Sequence, residues 1–253
     1  MTDTQTLFLA WQDKAWTRGW FPIGRLDVVM QTPLYRFRYI GGAITARQKT
    51  GFEPLYDFPD FERSYESSEL FPLFKNRVLT ARRPDFSEYL RQLDLPVDLP
   101  EEESRVEILS VDGGYRATDS FEVFPKIERR EDGTFRCRFF LHGWRYMNEE
   151  AQRRVESLSP GDTLHVAIEL TNPTAREPVQ IQTEDRYVIG WAPNYLVADF
   201  LRAIAKAPQS HSAKVVRVNP APAPSKQRLL LEFRGHFPDN PPMTDGEFKP
   251  LTE

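Results

Sequence analysis

Four histidines and a single cysteine are the side chains of this chain best suited to acid–base, nucleophilic or metal chemistry. His142, His165, His211 and His236 stand far apart. None has the H-E-x-x-H or His-plus-carboxylate spacing that puts ligands on one face of an element. Cys137 alone allows neither an internal disulfide nor a zinc cluster. Between Arg136 and Arg138 it reads as a small buried hydrophobe. There is no G-x-S-x-G, phosphate loop or dinucleotide fingerprint. The chain is therefore read as not an enzyme, with no catalytic residue, no metal ligand and no cofactor. His142 is the histidine to test first, because it borders a strand tip.

Two stretches frame the rest. Phe139-Phe140-Leu141-His142-Gly143-Trp144-Arg145-Tyr146 is an apolar strand with a polar tip, and Val188 to Leu196 reads as strand, turn and helix start. Asn148 is a good cap for a short helix, with Glu149 and Glu150 in its first turn. Pro160-Gly161-Asp162 turns into a strand at Thr163–Leu170, Asn172-Pro173 turns again, and Val179–Gln182 alternates. Pro193 opens a helix with Leu196, Phe200, Leu201 and Ile204 on its face, and strands at 214–218 and 228–233 form a pair. Exposed tips, not a buried cleft, are expected to do the work.

The elements before residue 134 are mostly short strands, expected at 6–10, 20–26, 34–40, 106–110 and 120–125. Arg36 and Arg38 alternate with aromatics and are expected on a solvated face. Gly41-Gly42 breaks the third strand. Phe52 to Pro59 is expected to lie across the sheet. Helices are expected near 68–95, where Phe86, Tyr89, Leu90 and Leu93 make a helical stripe. Pro96 to Ser104 reads as an acidic linker. The fold class expected is α+β and strand-rich, in two small domains at 1–134 and 135–253.

Composition sets the remaining bounds. At 253 residues with 40% hydrophobic and 13% aromatic content, the chain can bury packed cores. No apolar run approaches the roughly 18–20 residues of a membrane span. Met1 to Gln5 shows no secretory pattern, so a cytoplasmic protein without membrane contact is expected. Residues 1–134 hold 18 Lys/Arg against 23 Asp/Glu, and residues 135–253 hold 15 against 14. Neither half has the cationic excess used to coat nucleic acid non-specifically.

Gly24-Arg25-Leu26, Tyr35-Arg36-Phe37-Arg38-Tyr39, Phe52-Glu53-Pro54-Leu55 and Leu70 to Leu79 occur in an order that resembles the small N-terminal subdomain of HipA-type toxin kinases. The likeness covers roughly residues 20–95. No kinase core follows, for the Gly-rich loop, the His-Arg-Asp-like loop and the metal-binding Asp are all missing. A docking or regulatory surface for a protein partner, antitoxin-like in character, is what the resemblance implies.

From Gly143-Trp144-Arg145-Tyr146 through Pro160-Gly161-Asp162 and Asn172-Pro173 to Val188-Ile189-Gly190-Trp191-Ala192-Pro193-Asn194-Tyr195-Leu196, about residues 135–205 resemble the HIRAN domain. That is a compact β-barrel module with one or two short helices, found alone in bacteria and joined to nucleic-acid translocases in eukaryotes. The resemblance implies binding of single-stranded DNA by its 3′ end, with bases stacked on aromatic rings at strand tips. Arg145 and Tyr146 match the family's Arg-aromatic tip, and Asn172 with Pro173 the start of its Asn-Pro turn. Trp191 and Tyr195 would add stacking surfaces. Thr174, Ala175, Glu177 and Pro178 depart from the family's residues in that turn, which implies a weakened end pocket. A basic strip at Arg138, Arg145 and Arg186 would favour DNA; an apolar patch at Phe71 to Phe74 would favour a protein partner.

Overall fold

The computed structural model describes residues 4–30, 32, 34–114, 116, 118–169, 178–244 and 246–253. It is α+β and strand-rich, built on two sheets. Two compact units share the chain. The first holds residues 1–86, 98–126 and 243–253, and the second 87–97 and 127–242. The chain passes between them four times, where the sequence pattern suggested one junction near 134.

In the first unit, β1 (Thr4–Gln12), β2 (Trp20–Val29) and β3 (Leu34–Tyr39) precede α1 (Gly41–Thr50), β4 (Tyr65–Ser67) and α2 (Pro72–Lys75). Next comes α3 (Phe86–Gln92), nearly all of it in the second unit, and then α4 (Glu101–Asp112) and β5 (Phe121–Pro125). The strands form an antiparallel sheet in the order β4-β3-β2-β1-β5. In β3 the period of two buries Tyr35, Phe37 and Tyr39. Phe37 stacks on Phe58 at 4.0 Å, and the Tyr39 hydroxyl donates to the Phe58 carbonyl at 2.8 Å. The aromatic 52–59 segment is thereby pinned to the sheet. Gly41-Gly42 ends β3 and also opens α1. A Cβ on Gly42 would lie 1.9 Å from the Pro22 carbonyl oxygen, so only glycine lets helix and sheet approach this closely.

Two expectations are corrected here. Residues 106–110 are helical, not a strand, and belong to α4. Val106-Glu107-Ile108 does alternate, but Pro100 precedes the helix and Gly113 closes it with φ 73° and an N–H bond to the Leu109 carbonyl. The 96–104 linker is shortened accordingly, and Ser104 is buried. Arg38 is not on a solvated face either. It reaches Asp27 at 2.8 Å with its side chain 12% exposed, whereas Arg36 pairs with Glu66 at the surface.

Asp27 gathers Thr6 (2.7 Å), Arg25 (2.8 Å) and Arg38 (2.8 Å) across three strands. Burial pushes its carboxyl pKa up. The Arg25 hydrogen bond and charge, with the bonds from Thr6 and Arg38, outweigh burial and hold it below the usual carboxylate range. A carboxyl whose pKa falls on folding stabilises the fold above its unfolded value, about 3.9, and loses that contribution as pH drops through the folded value. Asp27→Asn should cost about 3 kcal/mol at pH 7. Denaturant titrations at pH 7 and pH 3 check this: the gap to wild type should shrink at the lower pH.

Residues 243–253 complete the first unit. Pro250 bridges Ile40, Leu251 N–H donates to the Tyr39 carbonyl at 2.9 Å, and Phe248 meets Phe8 edge-on at 4.8 Å.

The second unit contains β6 (Thr134–Phe140), a 3-10 turn at Trp144–Tyr146, α5 (Glu149–Ser157), β7 (Thr163–Ile168), β8 (Val179–Gln182) and β9 (Val188–Trp191). It continues through α6 (Asn194–Lys206), β10 (Ser212–Val218), a 3-10 turn at Ser225–Gln227 and β11 (Leu229–His236). The antiparallel sheet runs β6-β11-β10-β7-β8-β9. Just past β6, His142 exchanges two 3.0 Å backbone hydrogen bonds with Trp191 of β9. The sheet thus curls until its outer strands meet. Phe200 of α6 lies 4.3 Å from Phe233, and Phe135 stacks on Phe237 at 4.6 Å. Cys137 is buried among them, and burial raises its thiol pKa far above the usual range, keeping it protonated. Asn148 caps α5, its Oδ1 accepting from Ala151 N–H at 2.9 Å.

Candidate nucleic-acid interface

The tip after β6 is shaped by Gly143, whose φ of 78° turns the chain into the 3-10 turn. Tyr146 N–H donates to the Gly143 carbonyl at 2.9 Å and Met147 N–H to that of Trp144 at 3.0 Å. This winding sends Trp144 inward, 8% exposed, and leaves Arg145 and Tyr146 outside. Tyr146 is 75% exposed, uncommon for so large a ring. The Arg145 guanidinium carbon sits 4.5 Å from the Tyr146 ring centroid, and Nη2 donates to the phenol oxygen. One face of the ring is thus backed by a cation.

Trp191 and Tyr195 stand behind this tip. The Trp191 indole lies against Gly143 so closely that a Cβ there would be 2.5 Å from it. Its Nε1 donates to Glu169 Oε2 at 2.9 Å. Tyr195 is 9% exposed and meets His142 edge-on at 6.3 Å. These two rings support the tip, whereas Arg145 and Tyr146 form its surface. Asn172, with Pro173, Thr174 and Ala175, lies outside the described residues.

Sequence reading missed three contributors. Glu169 holds Trp191. The 3-10 turn at 225–227 packs against the one at 144–146, and the Arg228 guanidinium lies 5.4 Å over the Trp144 ring. No spacing rule links Arg228 to Arg145; only closure of the sheet does. The basic strip that would favour DNA is interrupted, since Arg138 is paired with Asp94 at 3.0 Å and Glu232 at 3.3 Å, while Arg145 and Arg186 are exposed. The apolar patch that would favour a protein partner is partly covered, with Pro72 exposed and Phe71 and Leu73 half-buried. Phe74 is fully buried and Phe71 meets Phe58 at 5.1 Å.

Elsewhere in this unit a polar recess beside α5 is lined by Arg154, Asp162, Thr183 and Asp185. Bonds from Thr183 and Arg154 hold Asp185 below the usual carboxylate range, so the recess is internally compensated. Among the described residues no group of three or more His, Cys, Asp or Glu could hold a metal ion, and no helix is long and apolar enough to cross a membrane.

No family model matches the chain, and no curated protein matches it. A crystal structure of a protein from Lactobacillus plantarum, a structural-genomics target, aligns over 41% of this chain and 100% of its own. Its identity is 16% and its TM-score 0.31, too low to carry an argument.

Proposed function

We propose that the second unit is a HIRAN-like module that binds single-stranded DNA at its free 3′ end and acts by binding, not catalysis. The observation that carries this reading is the Arg145–Tyr146 pair: an exposed ring backed by a guanidinium at a strand tip. An aromatic face accepts a base of any identity, and an adjacent cation meets the phosphate. The curled sheet and the capped helix α5 are consistent with the barrel that the resemblance implies. Fluorescence anisotropy with an oligonucleotide ending in a 3′ hydroxyl, beside the same strand ending in a 3′ phosphate, tests it. The hydroxyl end should bind at least about tenfold more tightly, a difference of about 1.4 kcal/mol. Equal affinities would refute end recognition.

A second reading, a regulatory surface on the HipA-like first unit, is favoured by Trp16, 81% exposed at the tip of the β1–β2 hairpin. Asp13 fixes that loop by accepting from the N–H groups of Ala15, Trp16 and Thr17. Tyr56, 98% exposed, is a second bare ring in this unit. Under the DNA reading Trp16→Ala leaves oligonucleotide affinity unchanged.

A further inference from the structure

Several cations of the second unit are compensated. Arg138, Arg154, Arg202 and Arg234 each lie 3.0 Å or less from a carboxylate oxygen. Arg145 and Arg228 belong to the remainder: among the described residues neither has a carboxylate within ion-pair distance. Arg228 makes one long bond, Nη1 to the Asn219 carbonyl at 3.4 Å. Its Nε, and the Nε1 of the Trp144 beneath it, are buried donors with no acceptor among the described residues. Buried donors without acceptors cost about 1–3 kcal/mol each; the Nε atoms of Arg202 and Arg217 in this unit share that state, and what sets Arg228 apart is the second bare donor in the indole beneath it. The guanidinium is also held in place. It lies over an indole, and its chain neighbour Gln227 is anchored by Asn219, whose Nδ2 donates to the Gln227 carbonyl at 2.7 Å and to the Gln92 carbonyl at 2.9 Å. A stacked, uncompensated guanidinium with donors to spare suits an oxyanion, and a phosphate best.

We propose that Arg228, seated on Trp144, is a second phosphate contact on the single strand whose terminal base stacks on Tyr146. This rests on the DNA reading above and extends it from an end contact to a two-point grip. Arg145 would hold a phosphate near the terminus and Arg228 one further along the strand. Specificity for the end then belongs to the tip, whereas Arg228 supplies sequence-independent affinity.

The test reads the slope of log affinity against log salt, in which each neutralised phosphate of a single strand contributes about 0.7. Arg228→Gln should make the slope shallower by about 0.7, weaken binding several-fold at low salt, and keep the wild-type preference for a free 3′ hydroxyl. Arg228→Lys should retain the wild-type slope. A Gln variant with the wild-type slope overturns the second contact while leaving end binding intact. A Gln variant that binds but loses its end preference overturns it too, because Arg228 would then belong to the end pocket. If the wild type binds no single strand, both readings fall. Should Arg228→Gln not fold, methylphosphonate linkages placed one at a time in the oligonucleotide give the answer with wild-type protein. Two slope-bearing linkages support the grip, and only one overturns it.

Discussion

On the DNA-binding reading proposed above, Tyr146→Ala is expected to abolish measurable binding of single-stranded DNA by the otherwise intact protein. Stacking one base on an aromatic ring is worth about 1–3 kcal/mol, or roughly one to two powers of ten in affinity. Tyr146 is the one ring of the tip that is mostly exposed, since Trp144 is buried beneath Arg228 and Trp191 is bonded to Glu169. On the proposed reading, the departures from the HIRAN pattern at Thr174 and Ala175 leave little affinity in reserve. Removing this ring also strips Arg145 of the surface over which it lies. Tyr146→Phe separates the two contributions. It keeps the ring and loses only the hydroxyl that accepts from Arg145, so it should bind within about threefold of wild type, under 1 kcal/mol. An alanine variant with wild-type affinity would remove the tip from the interface, and a Phe variant as weak as alanine would shift the weight from stacking to the Arg145 bond. Anisotropy titrations at one salt concentration decide both.

Ending the chain after Pro242 should unfold or severely loosen the first unit while sparing the second. The segment removed contributes Met243, 1% exposed, and the Phe248 ring against Phe8. It also accepts the Gly41 N–H through the Lys249 carbonyl and donates the Leu251 N–H to Tyr39. Losing one buried Met or Phe side chain costs about 2–5 kcal/mol. The whole segment should therefore consume much of a typical stability of about 5–15 kcal/mol. Hydrogen exchange read by mass spectrometry locates the effect: β2 and β3 should lose protection, and β6 and β11 should keep theirs. Uniform protection in both units would show that the segment is dispensable.

Much of the strand layout is legible in the sequence, because strands covered on one side announce themselves by alternation. Tyr35, Phe37 and Tyr39 are an instance, as are Val179 and Ile181 in β8. The same rule misleads at Val106-Glu107-Ile108, where two buried residues two apart lie on a helix that packs over more than one face. Arg38 was misplaced for a different reason. Alternation tells which side a residue takes, but not that Asp27 waits there on the neighbouring strand. The tip at Arg145 and Tyr146 was readable because Gly143 and the two residues are contiguous. Arg228 and Glu169 were not, since their contacts exist only after β9 and β11 have taken their places in the curled sheet. Local patterns report local geometry, and a site assembled by sheet closure lies beyond them.

The assignment of residues 243–253 to the first unit also bears on the order in which the protein is made. A ribosome delivers the chain from the N-terminus, and domains usually fold as they emerge. Here the strands β1 to β5 are synthesised early, yet the segment that bridges Ile40 and bonds Tyr39 is delivered only after every strand of the second unit. The first unit therefore lacks its last piece until synthesis has passed through the whole of the second. During that interval the apolar face around Phe8 lacks the Phe248 ring that later covers it. Nascent chains stalled before residue 243 should accordingly be bound by holdase chaperones through their N-terminal part, although that part was the first to be synthesised.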